Sequence, residues 1–250
     1  PEAACPLPFA LGDDPPLAPV RAATVEAGAR WSGKGASVGI AAYRVAVRDE
    51  IMFVSAEEAL LSGYFTNVAR SRREGVELDI GWDPGPMRSW LRYAWSRATF
   101  GIAAGLYSPR AEDEVEASPW AGENRVEPGD RIPLMPAHLV TVGVAIDAGS
   151  GLTVAGELRY VGSQWLRGDE ANETRPLDPA LLTSARIAWR RGAWEVAAVV
   201  DNVLGRRDAS FGTFNVNRRS GELERFLTPH TRRALHLELR RRFGAGERTD

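Results

Sequence analysis

Hydrophobic and polar residues alternate with a period of two along much of the chain. In residues 76–82 the even positions hold Val, Leu, Ile and Trp, whereas Glu77, Asp79 and Gly81 occupy the odd ones. The same alternation recurs in segments 140–146, 152–160, 194–200 and 235–243. A helix would need apolar residues three and four positions apart, and successive strand side chains point to opposite faces. The pattern therefore predicts strands.

About nine strands are predicted in this way. They are 22–31, 37–48, 64–82, 88–100, 138–147, 152–163, 181–190, 194–203 and 232–243. Short Gly- and Pro-containing turns are expected at 33–35, 83–86, 149–151 and 191–192, and long polar loops at 49–63, 101–135, 164–180 and 204–228. Short turns on one rim and long loops on the other are typical of membrane β-barrels.

The charged strand residues fall on the face opposite the apolar one. They are Glu77, Asp79, Arg92, Glu157, Arg159, Arg186, Glu195, Glu238 and Arg240. The apolar faces carry almost no charge until the strand ends, where Arg97 and Arg241 could reach lipid headgroups. A charge at mid-bilayer costs roughly 2–4 kcal/mol, so a lipid-facing surface is expected to lack charged residues in this way. The solvated face of a soluble sandwich would produce a similar division.

Aromatic residues cluster at the predicted strand ends. Beside the short turns are Trp31, Trp82, Trp189, Trp194 and Phe243, and toward the long loops are Tyr64, Phe65, Trp95, Phe100, Tyr160 and Trp165. Tyr and Trp prefer the membrane interface, where the ring is in an apolar environment and the polar tip is hydrated. The pattern favours one aromatic girdle per rim. Core-edge aromatics of a soluble β-protein are the alternative.

Composition narrows the function further. The chain has 250 residues, 44% of them hydrophobic and 26% charged, with a net charge of −2. This near-neutral charge balance gives no indication of the basic surface that binds nucleic acid. A mean hydropathy of −0.25 is compatible with a soluble protein and equally with a barrel whose polar lumen offsets its lipid face. The apolar runs are too short for a membrane-spanning helix.

Six motifs, in order, resemble the barrel strands of TonB-dependent receptors. Residues 63–68 followed by 71–78 resemble the family's N-x-G-x-(S/T)-R-x-x-G-(V/L)-E strand, with Ala69 in place of the first Gly. The other five motifs lie at 93–100, 129–138, 160–164, 200–204 (with Asn202 in the family's position) and 240–243. Seven residues follow Phe243, whereas the family usually ends on that aromatic. The resemblance covers about residues 20–243.

The resemblance implies an all-β fold, an antiparallel up-and-down transmembrane β-barrel segment of about nine strands from a 22-strand-type barrel. It divides the chain into an extracellular loop remnant at 1–19, the barrel portion at 20–243 and a tail at 244–250. It implies a bacterial outer-membrane location and uptake of a ferric siderophore or other metal chelate. The implied partners are the TonB-ExbB-ExbD complex, reached through a missing N-terminal region, and outer-membrane lipid and lipopolysaccharide.

Ligand capture would then belong to the long loops. Their aromatic and Arg residues suit planar, anionic chelates, and the candidates are Tyr107, Arg110, Trp120, Arg125, Trp165 and Arg167. The acidic run 112–116 is interpreted as a solvated loop, with bridging to lipopolysaccharide or cations held by the loop as the alternative. The sequence contains no catalytic motif of the P-loop, nucleophile-elbow or zincin types, and its three histidines lack metal-ligand spacing. We therefore expect no enzyme activity, no cofactor and no metal site.

Alternatives remain open from the residues alone. A soluble all-β binding or structural protein would share the alternation, and a barrel hydrolase or a simple porin would share the fold. Cys5 has no partner for an intramolecular disulfide, so it is either a single loop thiol or the partner of a cysteine upstream. Residues 1–10 lack a signal peptide, which suggests a processed or truncated chain. Expressed alone, nine strands with two open edges are expected to aggregate.

Overall fold

A computed structural model describes residues 16–55, 63–107, 123–217, 219–220 and 223–243. Every regular element within them is a strand. The strands are β1 (Arg21–Gly33), β2 (Ala36–Ser55), β3 (Gly63–Trp82), β4 (Met87–Phe100), β5 (Ala104–Tyr107), β6 (Glu123–Val126), β7 (His138–Gly149), β8 (Leu152–Val161), β9 (Ala180–Arg191), β10 (Trp194–Asp201), β11 (Ala209–Val216), β12 (Leu223–Pro229) and β13 (Ala234–Arg241). The described part of the chain contains no helix that could cross a membrane.

Nine of the strands form one sheet in the order β1-β2-β3-β4-β7-β8-β9-β10-β13. Each strand pairs antiparallel with its neighbour. The remaining four form two separate hairpins, β5-β6 and β11-β12, inserted between consecutive strands of the sheet. The predicted all-β antiparallel meander is therefore confirmed.

Three of the predicted polar loops were partly wrong. Strand β2 continues to Ser55, beyond the predicted end at residue 48, and the loops at 101–135 and 204–228 contain the hairpins β5-β6 and β11-β12. The β2 extension contains a register shift between Val47 and Glu50, where Asp49 has a φ of 57°. Such a bulge lets a strand continue beyond a break in its alternation, so a period-two pattern stops before the strand does.

The short turns depend on residues that tolerate a left-handed backbone. Lys34 and Gly35 connect β1 to β2 with φ values of 50° and 76°, and Ser150 and Gly151 connect β7 to β8 with 51° and 78°. Two positive φ values in succession match the right-handed twist of the strands joined by a two-residue hairpin. A Cβ on Gly151 would also overlap the carbonyl oxygen of Arg190, so this turn requires glycine.

The register places the apolar and polar residues on opposite faces of the sheet, as the sequence predicts. Leu78 pairs with Ile40 and Tyr93, whereas Glu77 pairs with Ala41 and Ala94. On strand β10, which has neighbours on both sides, Val196 is 47% exposed, whereas Ala197 on the opposite face is 2% exposed. Side chains crowd together on the concave side of a curved sheet and spread apart on the convex side. The polar face is therefore concave, and the apolar face is convex and unburied.

The main hydrophobic cluster lies at the long-loop end of the sheet, on its concave side. Phe100, Leu106 and Val126 are almost completely buried there, and Met52, Ala104 and Ile132 pack against them. Phe100 was expected in an aromatic girdle, but it lies on the concave side and anchors hairpin β5-β6. The apolar side chains near the short turns behave differently, since Trp31, Trp82, Trp189 and Trp194 remain 44–58% exposed.

Candidate functional site

Near the short turns, the concave face of the sheet carries a network of ion pairs. Glu195 on β10 accepts hydrogen bonds from Arg186 at 2.9 Å and from Arg190 at 2.6 Å, both on β9. Its side chain is only 11% exposed, and Arg186 also lies 3.6 Å from Glu238 on β13. Carboxylates that alternate with guanidinium groups across three strands leave each charge with a partner. This arrangement keeps the concave surface polar without a large net charge.

A groove on the same face crosses strands β1, β2, β3, β4 and β7. It has a volume of about 480 Å³, and its charged lining residues are Arg30, Glu77, Asp79 and Arg92. Arg92 Nε lies 3.2 Å from Asp79 Oδ2, and both side chains are more than half exposed. Small residues such as Gly28, Gly39 and Ala94 form its floor. The groove therefore presents both guanidinium and carboxylate groups to any molecule that lies inside the curve of the sheet.

The loop between β8 and β9 is organised by a buried carboxylate. Asp169 is fully buried. It accepts hydrogen bonds from the backbone amides of Glu173 and Thr174 at 2.9 and 3.1 Å, and from the Thr174 hydroxyl at 2.6 Å. A buried carboxylate costs several kcal/mol unless such donors surround it. Asp169 therefore holds this loop in one conformation.

Asn172 connects this loop to the segment that precedes β7. Its side-chain oxygen accepts from the amide of Arg131 at 2.6 Å, and its side-chain nitrogen donates to the carbonyl of Arg131 at 2.9 Å. Asn172 has a φ of 60°, a conformation that Asn tolerates better than most residues. Nearby, the amide of Leu134 donates to the carbonyl of Trp165 at 2.9 Å. Two loops that are distant in sequence thus form one unit.

Hairpin β11-β12 completes this unit. The carbonyl of Arg167 accepts from the amide of Phe214 at 3.0 Å, and its amide donates to the carbonyl of Gly212 at 3.3 Å. Leu166 is 1% exposed, and any Cβ at Gly212 would overlap it. We call the assembly of hairpin β5-β6, residues 127–137, residues 162–179 and hairpin β11-β12 the loop cap. It lies at the long-loop end of the described sheet.

A cationic cleft opens on the loop cap. It has a volume of about 350 Å³, and Arg175, Arg207 and Arg225 line it together with Asp178 and Asp208. Arg175 lies 2.7 Å from Asp178. The excess of guanidinium over carboxylate favours an anionic occupant.

Asp208 structures one side of this cleft. Arg206 donates to it at 2.7 Å, and the amide of Leu181 donates at 3.1 Å. The Arg206 hydrogen bond, with a smaller contribution from the Leu181 amide, holds the pKa of Asp208 below its ordinary value, and Asp208 raises the pKa of Arg206. Asn202 accepts from the amide of Arg206 at 2.9 Å and donates to the carbonyl of Thr231 at 3.1 Å. It therefore secures both ends of the loop that carries β11-β12.

The six predicted ligand residues are distributed over separate parts of the loop cap. Arg125 lies on β6 and forms an ion pair with Glu127 at 3.1 Å, and both are exposed. Trp165 and Arg167 lie on the segment that contacts β11-β12; Trp165 is half-buried and Arg167 exposed. The backbone of Tyr107 ends β5, whereas Arg110 and Trp120 lie outside the described residues. The same holds for the acidic run 112–116.

Sequence reasoning missed the residues that organise the loop cap. Asp169 and Asn172 belong to no strand pattern, and the sequence does not distinguish a buried polar loop residue from an exposed one. Hairpin β11-β12 did have a signal, since Phe214 and Val216 alternate with Thr213 and Asn215 ahead of a Ser-Gly pair. Within the described ranges, no cluster of three or more His, Cys, Asp or Glu residues could hold a metal ion.

Solved structures confirm the fold at low identity. The ferric-catecholate import receptor Fiu from E. coli is 18% identical with a TM-score of 0.63, over 94% of this chain and 30% of its own. The ferric yersiniabactin uptake receptor FyuA from Yersinia pestis is 17% identical with a TM-score of 0.65, over 90% of this chain and 30% of its own. The copper transporter OprC is 16% identical with a TM-score of 0.64, over 91% and 32%.

The chain thus spans about a third of the length of the solved structures that it resembles. No curated protein matches it significantly. The family model "TonB dependent receptor-like, beta-barrel" matches residues 5–203, which is most of the chain. Together with the nine-strand meander and its polar concave wall, this match establishes that the chain belongs to the TonB-dependent receptor family as part of its β-barrel.

Proposed function

We propose that this chain is the C-terminal barrel portion of an outer-membrane receptor that takes up a bulky anionic metal chelate, such as a ferric siderophore. The observation that carries the proposal is the sidedness of the sheet. Its convex face exposes Leu235, Leu237 and Leu239, each at least 64% accessible, while its concave face holds the ion pairs of Glu195. An exposed apolar face and an enclosed charged face would be unfavourable for a protein surrounded by water. The same distribution is favourable for a barrel whose outer surface contacts lipid.

The loop cap supports the ligand class. The cationic cleft of Arg175, Arg207 and Arg225 and the exposed Arg167 provide guanidinium groups for carboxylate or catecholate oxygens. Trp165, two residues before Arg167, adds a half-buried aromatic side chain to the same loop. We retain all six loop residues as proposed ligand contacts: Tyr107, Arg110, Trp120, Arg125, Trp165 and Arg167. Energised uptake through the TonB-ExbB-ExbD complex is proposed for the whole protein, since the chain covers about a third of its structural neighbours.

Uptake by the full-length protein tests this function. A strain that depends on the protein should accumulate radiolabelled iron supplied as a catecholate or carboxylate chelate, and accumulation should stop when TonB is deleted. Arg167→Gln should weaken chelate binding about tenfold, the effect of losing one charge-assisted contact. Arg88→Gln, at the short-turn rim and paired with Asp83, is the matched control and should leave chelate binding nearly unchanged. Extraction into the aqueous fraction without detergent, together with unchanged iron accumulation, would favour a soluble binding protein instead.

A further inference from the structure

The cationic cleft of the loop cap lies between hairpin β11-β12 and the loop that leads into β9. Arg225 and Leu227 are two positions apart on β12, so their side chains share one face of the hairpin. Gly212, which pairs with Leu227, lies against Leu166 of the loop, so this face is turned toward the loop. The other lining residues belong to segments 175–178 and 207–209. Three segments of the loop cap therefore enclose the cleft.

Both carboxylates that line the cleft already have arginine partners. Asp178 lies 2.7 Å from Arg175. Asp208 accepts hydrogen bonds from Nε and Nη2 of Arg206 at 2.7 and 3.1 Å, and from the amide of Leu181 at 3.1 Å. Arg206 itself does not line the cleft. The two negative charges are therefore balanced without the remaining arginines.

Arg207 and Arg225 carry the uncompensated charges of the cleft. Both are exposed, and in the part of the chain that the structure describes neither forms an ion pair. Two like charges in one cleft repel each other, which favours an occupant that brings two negative charges. A guanidinium group donates two parallel hydrogen bonds to one carboxylate. The pair of arginines therefore suits two carboxylates of one molecule.

The uncharged part of the lining is aliphatic. It consists of Pro176, Leu177, Ala209 and Leu227, and the described lining includes no aromatic ring. Leu227 is 49% exposed, so its apolar surface is available to an occupant. Catecholate rings bind best against aromatic faces, whereas the methylene groups of an aliphatic acid pack well on aliphatic side chains. The lining therefore favours an aliphatic acid.

The size of the cleft supports the same ligand class. Its volume of about 350 Å³ lies near the lower end of the range for small-molecule sites, which is roughly 300–1,000 Å³. This volume holds one small acid, whereas the three rings of a tris-catecholate chelate need more room. A carboxylate that binds a metal through one oxygen still presents the other oxygen to a guanidinium group. An acid in the cleft can therefore belong to a metal complex.

We propose that the cationic cleft binds an aliphatic polycarboxylate through Arg207 and Arg225, so that the receptor takes up a metal chelate of the hydroxycarboxylate class. The inference rests on the proposed uptake function and narrows its ligand from anionic chelates in general. Each of two carboxylates faces one guanidinium group, and the methylene groups contact Leu177 and Leu227. The metal-free acid shares this chemistry, so the test includes both forms.

The test measures binding to the full-length protein in detergent micelles by titration calorimetry. The four probes are ferric citrate, metal-free citrate, an iron tris-catecholate complex and inorganic phosphate. Ferric citrate should bind about tenfold or more tightly than the tris-catecholate or phosphate, as expected for one additional guanidinium–carboxylate contact. Metal-free citrate should bind more weakly than ferric citrate, because a chelate gathers several acid groups around one ion.

Variants of the two unpaired arginines test the assigned contacts. Arg207→Gln and Arg225→Gln should each weaken ferric citrate binding about tenfold, and the double variant about a hundredfold. Arg225→Lys should retain part of the affinity, because lysine keeps the charge and lacks the planar fork. Arg191→Gln with Arg242→Gln is the matched control. It removes the same charge from two exposed positions at the short-turn rim and should leave binding nearly unchanged.

Three results would overturn the proposal: equal losses in the two double variants, equal binding of the tris-catecholate complex, or equal binding of metal-free citrate. Comparable binding of phosphate would also overturn it, since the cleft would then be a general anion site. TonB-dependent accumulation of iron from a catecholate chelate alone would refute this inference and leave the proposed function intact. Failure of the proposed function is distinct, because iron accumulation would then not depend on TonB for any chelate.

Discussion

The indole ring of Trp90 occupies the space above Gly143, the residue directly opposite it on the neighbouring strand β7. From there its Nε1 reaches across to β8 and donates to Glu157 Oε2 at 3.2 Å. A Cβ on Gly143 would overlap the ring carbons of Trp90. The absence of a side chain at Gly143 therefore permits a hydrogen bond that spans three strands of the concave wall.

Replacing Gly143 with Ala should expel the Trp90 ring and break its hydrogen bond to Glu157. We expect a loss of about 1–3 kcal/mol in the free energy of unfolding, as for other overpacked sites. Urea unfolding of the full-length protein in lipid vesicles measures it. Gly156→Ala on β8 is the matched control, because a Cβ there would meet its nearest neighbour at 3.9 Å, an ordinary contact. Equal effects of the two variants would contradict this account.

Glu195 should matter more to stability than its neighbour Glu238. Glu195→Gln leaves Arg186 and Arg190 without their closest carboxylate, whereas Glu238 is 47% exposed and contacts Arg186 at 3.6 Å. Removing one partner of a poorly hydrated ion pair leaves the other charge unpaired, which destabilises the folded state. The unfolding midpoint should therefore fall clearly in Glu195→Gln and little in Glu238→Gln, which loses a more exposed and weaker pair. The reverse order would refute the proposed pairing.

The ion pair of Asp208 with Arg206 should make the loop that carries β11-β12 sensitive to acid. Because the Arg206 hydrogen bond lowers the pKa of Asp208 in the folded protein, its carboxylate stabilises the fold above its ordinary value of 3.8. That contribution declines as the pH falls through this value and then through the lowered pKa of the folded state. The stability difference between wild type and Asp208→Asn should thus be constant near neutral pH and shrink below about pH 4. A difference that grows on acidification would show the opposite sign of pKa shift.

Residues 77 and 78 should face different environments in the reconstituted full-length protein. Leu78 lies on the convex face between Ile40 and Tyr93, and Glu77 on the concave face between Ala41 and Ala94. A spin label at position 78 should be relaxed mainly by a lipid-soluble agent, and one at position 77 mainly by a water-soluble agent. Equal accessibility to the water-soluble agent would indicate that β3 is not lipid-facing.

Local patterns in the sequence were sufficient for the strands and their faces. Successive side chains of a strand alternate by geometry, so Val76 and Leu78 must share a face whatever the rest of the fold does. Glycine and proline marked the turns for a similarly local reason, since positive φ values are confined to a few residue types. The motifs around residues 63–78 and Asn202 indicated the family, which the match over residues 5–203 confirms.

Only the tertiary structure decided which residues from distant segments come together. Asn172 meets Arg131 across 41 residues, and Trp90 meets Glu157 across 67. Phe100 is buried because a hairpin folds over it, whereas Trp82, with the same aromatic character, remains exposed. An alternating pattern specifies a face within one strand, but the pairing partner depends on contacts that no local segment contains.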